Sequence, residues 1–511
     1  MSKKKKIILI IIIAVIVAIL LWMKGCQGEI LGQVYQGEGF VFTLPDSYRQ
    51  TERHNDELVL TFQNETSTVK VYAQPTNNLL SAITYIGYGN EQLVQGKAGF
   101  KIEEERTGWA NFRINREFAY TRPVLQKLGN DRNYYREINL IDPVNQRVVT
   151  FWGKTTAEYS EQLKEDLRSA VKSYSWNGQS IVSSSQEAIE PSSPHIKYQG
   201  TRIDLDIPPG EIVWGRFFPG YPSVPEAALA LEQSEEAFDH KFEFVMDYKM
   251  FLAGDPFPAE AINRAYDDGR VLMVTLQPFT ADLNWIAIPE IIEGKHDDEI
   301  RKWAEGFKQI GEPIFVRPLN EMNGDWDPWC AWFYGKDTEL YILAWRHIVE
   351  IFRELGATNV YFVWNPHDRS YPNFLWNNSH LYYPGDEYVD WVGLTGYNNG
   401  TSHPGDVWRE FDEIYEALYL DYLQRYSDKP FMITEFSCNE VGGDKAKWIE
   451  KGMASLAKNY GNIKIATWFD SQDNLWLYQL DSSPEAWSAF RQGLKDNAYY
   501  TGAVKKRASG K

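Results

Sequence analysis

Cysteine is scarce in this 511-residue chain, with only Cys26, Cys330 and Cys438. So few cannot build a disulfide framework. An excess of positive charge is also missing. Lys and Arg number 52 against 70 Asp and Glu, for a formal net charge of -18, and four of the lysines sit together at positions 3–6. Such an acidic chain repels phosphate backbones, which argues against nucleic acid as partner and fits a strongly anionic polymer poorly. There is no phosphate loop, no zinc spacing and no serine nucleophile elbow. Asp470 and Asp473 lack metal-loop spacing. No metal and no cofactor are expected.

Aromatic residues, by contrast, are plentiful. They make up 15% of the chain, with 19 Trp and 30 Tyr. That content fits a large core or sugar-stacking surfaces equally well. One long apolar run is present, uncharged from 7 to 23 behind the lysine cluster. Its length is at the lower end for a transmembrane helix, and the lysines should keep residues 1–6 cytoplasmic. Trp22-Met23-Lys24 is too bulky and charged for a small-residue cleavage site. The expectation is an uncleaved signal anchor, single-pass in the cell membrane, with the rest of the chain extracellular. Cys26 after Gly25 is similar to a lipoprotein cleavage site, but Lys24 departs from that pattern.

Residues 37–176 read as a small α+β domain. Segments 40–44, 58–62 and 68–72 have strand character, and 134–140 with 147–152 suggest a hairpin around Asp142-Pro143. Helical spacing over 157–174 places Leu163, Leu167, Ala170 and Val171 on one face. The arrangement resembles small bacterial envelope domains of the PsbP or Mog1 type. No catalytic cluster stands out, which leaves a spacer, binding or structural role. Residues 177–200, with Ser183-Ser184-Ser185 and Pro191-Ser192-Ser193-Pro194, read as a linker.

From 201 to 500 strands alternate with helices. Strands are expected at 212–215, 242–248, 271–276, 313–319, 360–364, 390–395, 431–434 and 463–469. Helices are expected at 224–236, 259–268, 297–310, 338–355, 408–426 and 445–459. Eight strand units in about 300 residues predict a (β/α)8 TIM barrel. The fold class is therefore α/β, a barrel preceded by the α+β domain and the transmembrane helix.

Chemistry on such a barrel sits at the C-terminal strand ends. Glu321 ends the fourth strand and Glu435 the seventh, which places two carboxylates across the mouth. Glycoside hydrolysis needs such a pair: one donates a proton to the leaving oxygen, and in a retaining enzyme the other attacks the anomeric carbon. Gln277 and His367 also lie at strand ends, after the third and fifth strands, and are candidate sugar contacts. Arg317 at the fourth strand end fits a structural ion pair as well as a site role. Any single tryptophan could simply be core.

The octapeptide Arg317-Pro318-Leu319-Asn320-Glu321-Met322-Asn323-Gly324 resembles the acid/base motif of glycoside hydrolase family 26, whose founding activity is endo-β-1,4-mannanase. Pro430-Phe431-Met432-Ile433-Thr434-Glu435-Phe436 is similar to that family's nucleophile strand, and Gly396-Tyr397-Asn398 to its sixth-strand tyrosine motif. The resemblance implies Glu321 as acid/base and Glu435 as nucleophile, with Arg317 and Tyr397 holding Glu435. It implies Trp468 as the aromatic floor beneath the sugar, and Trp326 and Trp329 along the cleft. Family mannanases usually carry His before the acid/base; this chain has Asn320, a residue that often contacts the sugar 2-hydroxyl across the wider clan. The departure raises β-glucan as an alternative to mannan.

The expected function is thus a membrane-anchored, extracellular, retaining endo-β-glycanase of mannanase type, with a β-1,4- or β-1,3-1,4-glucanase as alternative. A catalytically inactive barrel that binds or helps assemble polysaccharide is the competing reading. The expected partners are a β-linked polysaccharide, the membrane, and cell-envelope polysaccharide synthesis or export components. Cys330 and Cys438 both follow the catalytic strands, and a bridge between them is open.

Overall fold

Strands form at all eight places expected between 212 and 469, and they close on one another. In the computed structural model, residues 32–51, 58–77, 80–96, 98–110, 113–126, 131–178, 196–197, 203–207, 212–281, 287–496 and 504–506 are described. The barrel strands are Val213–Phe217, Phe244–Leu252, Val271–Thr280, Ile314–Pro318, Val360–Trp364, Trp391–Asn398, Phe431–Cys438 and Ile463–Phe469. Neighbours pair in parallel, and the first strand pairs with the eighth. Strands one, two, three, six and seven run past their expected ends, so Tyr397 and Glu435 lie within strands rather than beyond them.

The enclosing helices follow from amphipathic spacing. Asp297–Ile310 buries Ile300, Trp303, Ala304, Phe307 and Ile310 on one stripe. Asp297, Asp298 and Glu299 occupy its first turn, where the helix dipole favours negative charge. Gly311 ends it in the left-handed conformation. The connection after the fifth strand differs from the simple repeat. It carries three short 3-10 turns, Leu375–Asn377, Ser379–Tyr382 and Asp386–Tyr388, and no long helix. Among the described residues four helices were not anticipated, Ala82–Gly89, Glu91–Gln95, Ala287–Ile292 and Pro484–Asp496.

The chain divides into two compact units. Among the described residues, the first draws on the ranges Met1–Thr84, Ile102–Thr121 and Arg132–Ser183, and the second on Tyr85–Lys101, Arg122–Asp131 and Ser184–Lys511. The barrel unit therefore includes two stretches taken from inside the 37–176 region. Within the first unit, Ser160–Ser173 packs Leu163, Leu167, Ala170 and Val171 into a core with Phe62, Val69, Val71, Leu140, Val149 and Phe151. The expected hairpin forms between Tyr134–Asp142 and Arg147–Thr155, in a seven-stranded sheet.

The apolar run 7–23, the cytoplasmic tail 1–6 and Cys26 lie outside the described residues, as does most of the linker 177–200. Among the described residues no helix is long and apolar enough to cross a membrane. Cys330 and Cys438 are both buried free thiols, so the bridge left open between them is not formed.

Candidate active site

The fourth strand hands over to its loop through a strained turn. Leu319 and Glu321 both have left-handed backbones, with φ of 51° and 54°, a region costly for residues with a Cβ. Surrounding groups hold the turn in place. The Glu321 amide donates to the Asn365 carbonyl at 2.8 Å. The Trp329 indole donates to the Asn320 carbonyl at 2.6 Å, and the Tyr341 hydroxyl to the Leu319 carbonyl at 3.3 Å. Asn323 ties this loop to the next: its Oδ1 accepts from the His367 amide at 2.8 Å, and its carbonyl accepts from the Tyr371 amide at 2.8 Å.

Glu435 is aimed by an irregularity in the seventh strand. Leu394 pairs with Ile433, but the next residue, Thr395, pairs with Glu435. The pairing with the eighth strand skips in the same place, between Ile433 and Phe436. The extra residue breaks strict alternation. Thr434 and Glu435 consequently both turn inward, Thr434 to the Thr395 hydroxyl at 2.8 Å and Glu435 to the groups at the mouth.

Three donors converge on the Glu435 carboxylate. Arg317 Nη2 and the Tyr248 hydroxyl reach Oε1, and the Tyr397 hydroxyl reaches Oε2. Arg317 is itself fixed, with Nε to the Thr275 hydroxyl at 2.9 Å and Nη1 to Asn365 Oδ1 at 2.8 Å. Burial works against the charge on Glu435, but Arg317 and then the two phenols outweigh it and hold the carboxyl below its ordinary value. Glu321 lies at the opposite extreme. Burial, reinforced by the charge on Glu435, pushes it up to about 7. Two carboxyls with pKa values driven apart are the signature of an acid and a base held in different roles.

Other expected site residues divide sharply. Trp326 is 41% exposed and meets His367 and Tyr371, with ring centroids 5.3 and 5.4 Å away. Gln277 shares its strand face with Thr275 and is half-buried at the mouth. Asn320 is buried, and its Oδ1 has no hydrogen-bond partner among the described residues.

The two tryptophans expected as the aromatic floor and along the cleft, Trp468 and Trp329, are fully buried. Trp468 points away from the mouth, against Phe436, Trp448 and Phe490, and its indole donates to the Tyr478 carbonyl at 3.0 Å. Strand alternation gives the inward place to Phe469, which faces Tyr397 edge-on at 5.8 Å. Trp329 is buried beneath Asn320 against Phe279.

Three groups at the site were not singled out from the sequence. Tyr248 closes the expected second strand and was detectable by the same strand-end rule as Glu321. Asp327, pushed up to about 8 by burial and then by Glu435, sits between the two loop tryptophans. Tyr478 stacks on Tyr397 at 4.9 Å and 23°, and it reaches the mouth from beyond the eighth strand, with no motif to mark it.

Residues 290–441, which include Glu321, Tyr397 and Glu435, match the model of Glycosyl hydrolase family 26. Endoglucanase H of Acetivibrio thermocellus is 34% identical over 270 residues, covering 52% of this chain and 29% of that protein. Mannan endo-1,4-beta-mannosidase A and B of Caldalkalibacillus mannanilyticus is 33% identical over 146 residues, covering 27% and 25%. Beta-1,3-xylanase TXYA of a Vibrio species is 28% identical over 151 residues, covering 29% of each. The chain thus spans under a third of the length of each of these relatives. The matched stretch spans the carboxylate pair, so the part of the barrel that carries both Glu321 and Glu435 is similar to Glycosyl hydrolase family 26.

Proposed function

We propose that the barrel cleaves a β-linked polysaccharide within the chain and with retention of anomeric configuration. Glu321 gives its proton to the leaving oxygen. Glu435 attacks the anomeric carbon and forms a glycosyl-enzyme. Glu321, now ionised, then takes a proton from the water that releases the sugar. The observation that carries this reading is the geometry at the mouth, where Arg317, Tyr248 and Tyr397 converge on Glu435, and the opposite displacement of the two carboxyls supports it. At neutral pH one is available as an acid while the other, on Arg317, Tyr248 and Tyr397, is an ionised nucleophile.

A β-glucan is the first substrate to test and a β-mannan the second. Asn320 before the acid/base favours glucan over the mannanase-type label, and the endoglucanase relative matches over the longest stretch. The apolar run 7–23 would tether the barrel to the outer face of the membrane, close to the cell-envelope polysaccharide synthesis or export components it would serve; fractionation of the expressing cell with protease accessibility tests this.

The test of function is a panel of β-glucans, mannans and xylans, read by new reducing ends and by NMR of the first anomer formed. Reducing ends from none of them, with binding retained, favour the inactive polysaccharide-binding barrel. An inverted first product rejects the glycosyl-enzyme.

A further inference from the structure

The barrel unit contains residues 85–101, which lie far ahead of the barrel in the chain. Their placement is specific. The Tyr88 ring stacks on Trp332, with centroids 4.9 Å apart at 19°. The Tyr88 hydroxyl donates to a carboxylate oxygen of Asp325, and the Tyr88 carbonyl accepts from the Trp332 indole at 2.8 Å. Asn90 Oδ1 accepts from Lys336 Nζ at 2.9 Å. Tyr85 meets Phe374 edge-on at 4.7 Å.

Asp325, Trp332 and Lys336 all belong to the loop that follows Glu321. Phe374 belongs to the loop after the fifth strand. These two loops carry the exposed rings of Trp326 and Tyr371 and the half-buried His367 that both meet. Asp325 stands directly before Trp326. The Trp326 ring lies across Gly324, where a Cβ would come within 2.6 Å of it. An anchor on Asp325 therefore fixes the short span between the carboxyl of Glu321 and the only large ring of this loop left open to solvent.

We propose that Tyr88 is a positioning residue for the cleft: by pinning Asp325 it sets where the Trp326 ring stands against a bound sugar. This rests on the reading of Glu321 and Trp326 as parts of a sugar-cleaving site. Tyr88 touches no reacting atom and acts through Asp325. Its ring stack on Trp332 and its hydroxyl bond are separable, because phenylalanine keeps the first and loses the second.

The test is Tyr88→Phe in the full chain. Hydrogen–deuterium exchange should rise about tenfold over residues 322–334 and stay unchanged in the loops after the sixth and eighth strands. On the best polysaccharide, KM should rise about tenfold while kcat stays within about threefold, the loss expected for one hydrogen bond to a charged group. Wild-type exchange over 322–334 overturns the proposal, whatever the barrel cleaves. Raised exchange with an unchanged KM overturns it too, as does a parallel fall in kcat and melting temperature, which marks a merely structural role. If the wild-type chain cleaves nothing, the functional reading has failed, and the positioning is decided by the exchange measurement alone.

Discussion

Arg317 and Glu435 form an ion pair inside the barrel mouth, with the guanidinium fully buried and the carboxylate 6% exposed. Arg317→Met leaves the carboxylate without its counter-charge. Removing one partner of a buried pair costs about 3–5 kcal/mol, and Glu435 then takes up a proton at higher pH. The expected result is a fall in kcat of at least about a hundredfold, with the acid limb of the pH profile moved upward. Denaturant unfolding and pH–rate profiles separate the stability loss from the catalytic one. Tyr248→Phe should move the acid limb the same way, by less.

In the proposed mechanism the two carboxyls also set the pH range. Glu435 must be ionised, and its pKa lies below its ordinary value, so the acid limb lies below the ordinary carboxylate range. Glu321 must be protonated, and its pKa is about 7, so activity falls as pH rises through neutrality. The profile of kcat/KM is bell-shaped, with its alkaline limb near pH 7. In Glu321→Gln that limb should vanish, and turnover should survive best on substrates with good leaving groups. An unaltered alkaline limb in this variant removes Glu321 from the role of acid.

Trp468 and Trp326 should respond in opposite ways. Trp468 is fully buried against Phe436, Trp448 and Phe490, and its indole donates to the Tyr478 carbonyl. Trp468→Ala should cost roughly 3–5 kcal/mol of stability. Trp326 is 41% exposed. Trp326→Ala should change stability by less than about 0.5 kcal/mol and raise KM for polysaccharide. Thermal melts and KM for the two variants decide this together.

Asn320 carries a buried acceptor with no partner among the described residues. A sugar hydroxyl would supply one. An oligosaccharide lacking the 2-hydroxyl should react with wild type about tenfold to a hundredfold more slowly than its parent. In Asn320→Ala the two substrates should react alike, and the double difference isolates the contact. Equal discrimination by both proteins places the 2-hydroxyl elsewhere.

The barrel was legible because its strands are apolar runs separated by helical stripes at regular intervals. Glu321 and Glu435 were legible because carboxylates at two strand ends are conspicuous. What could not be read was the direction in which side chains near those ends point. Trp468 and Phe469 are adjacent aromatics, and only the register of the closed barrel decides which faces in. The skip at Thr434 changes that register locally and leaves no mark in composition. Tyr248 was visible as the last residue of a strand, yet its carboxylate partner is on the seventh strand, reached only by closure. Residues 85–101 read as part of the small domain because membership in a folded unit depends on long-range packing, which sequence order does not carry.

That interleaving bears on how such a protein can be inherited and reshaped. Catalytic modules are commonly exchanged by cutting a gene at the linker between them. Here a cut within residues 177–200 would deliver a barrel without Tyr88 beneath Trp332 and without the Gln126 amide on Glu293, 2.7 Å away. The exchangeable piece is therefore larger than the barrel, and the two units are expected to travel together through recombination as a single heritable block.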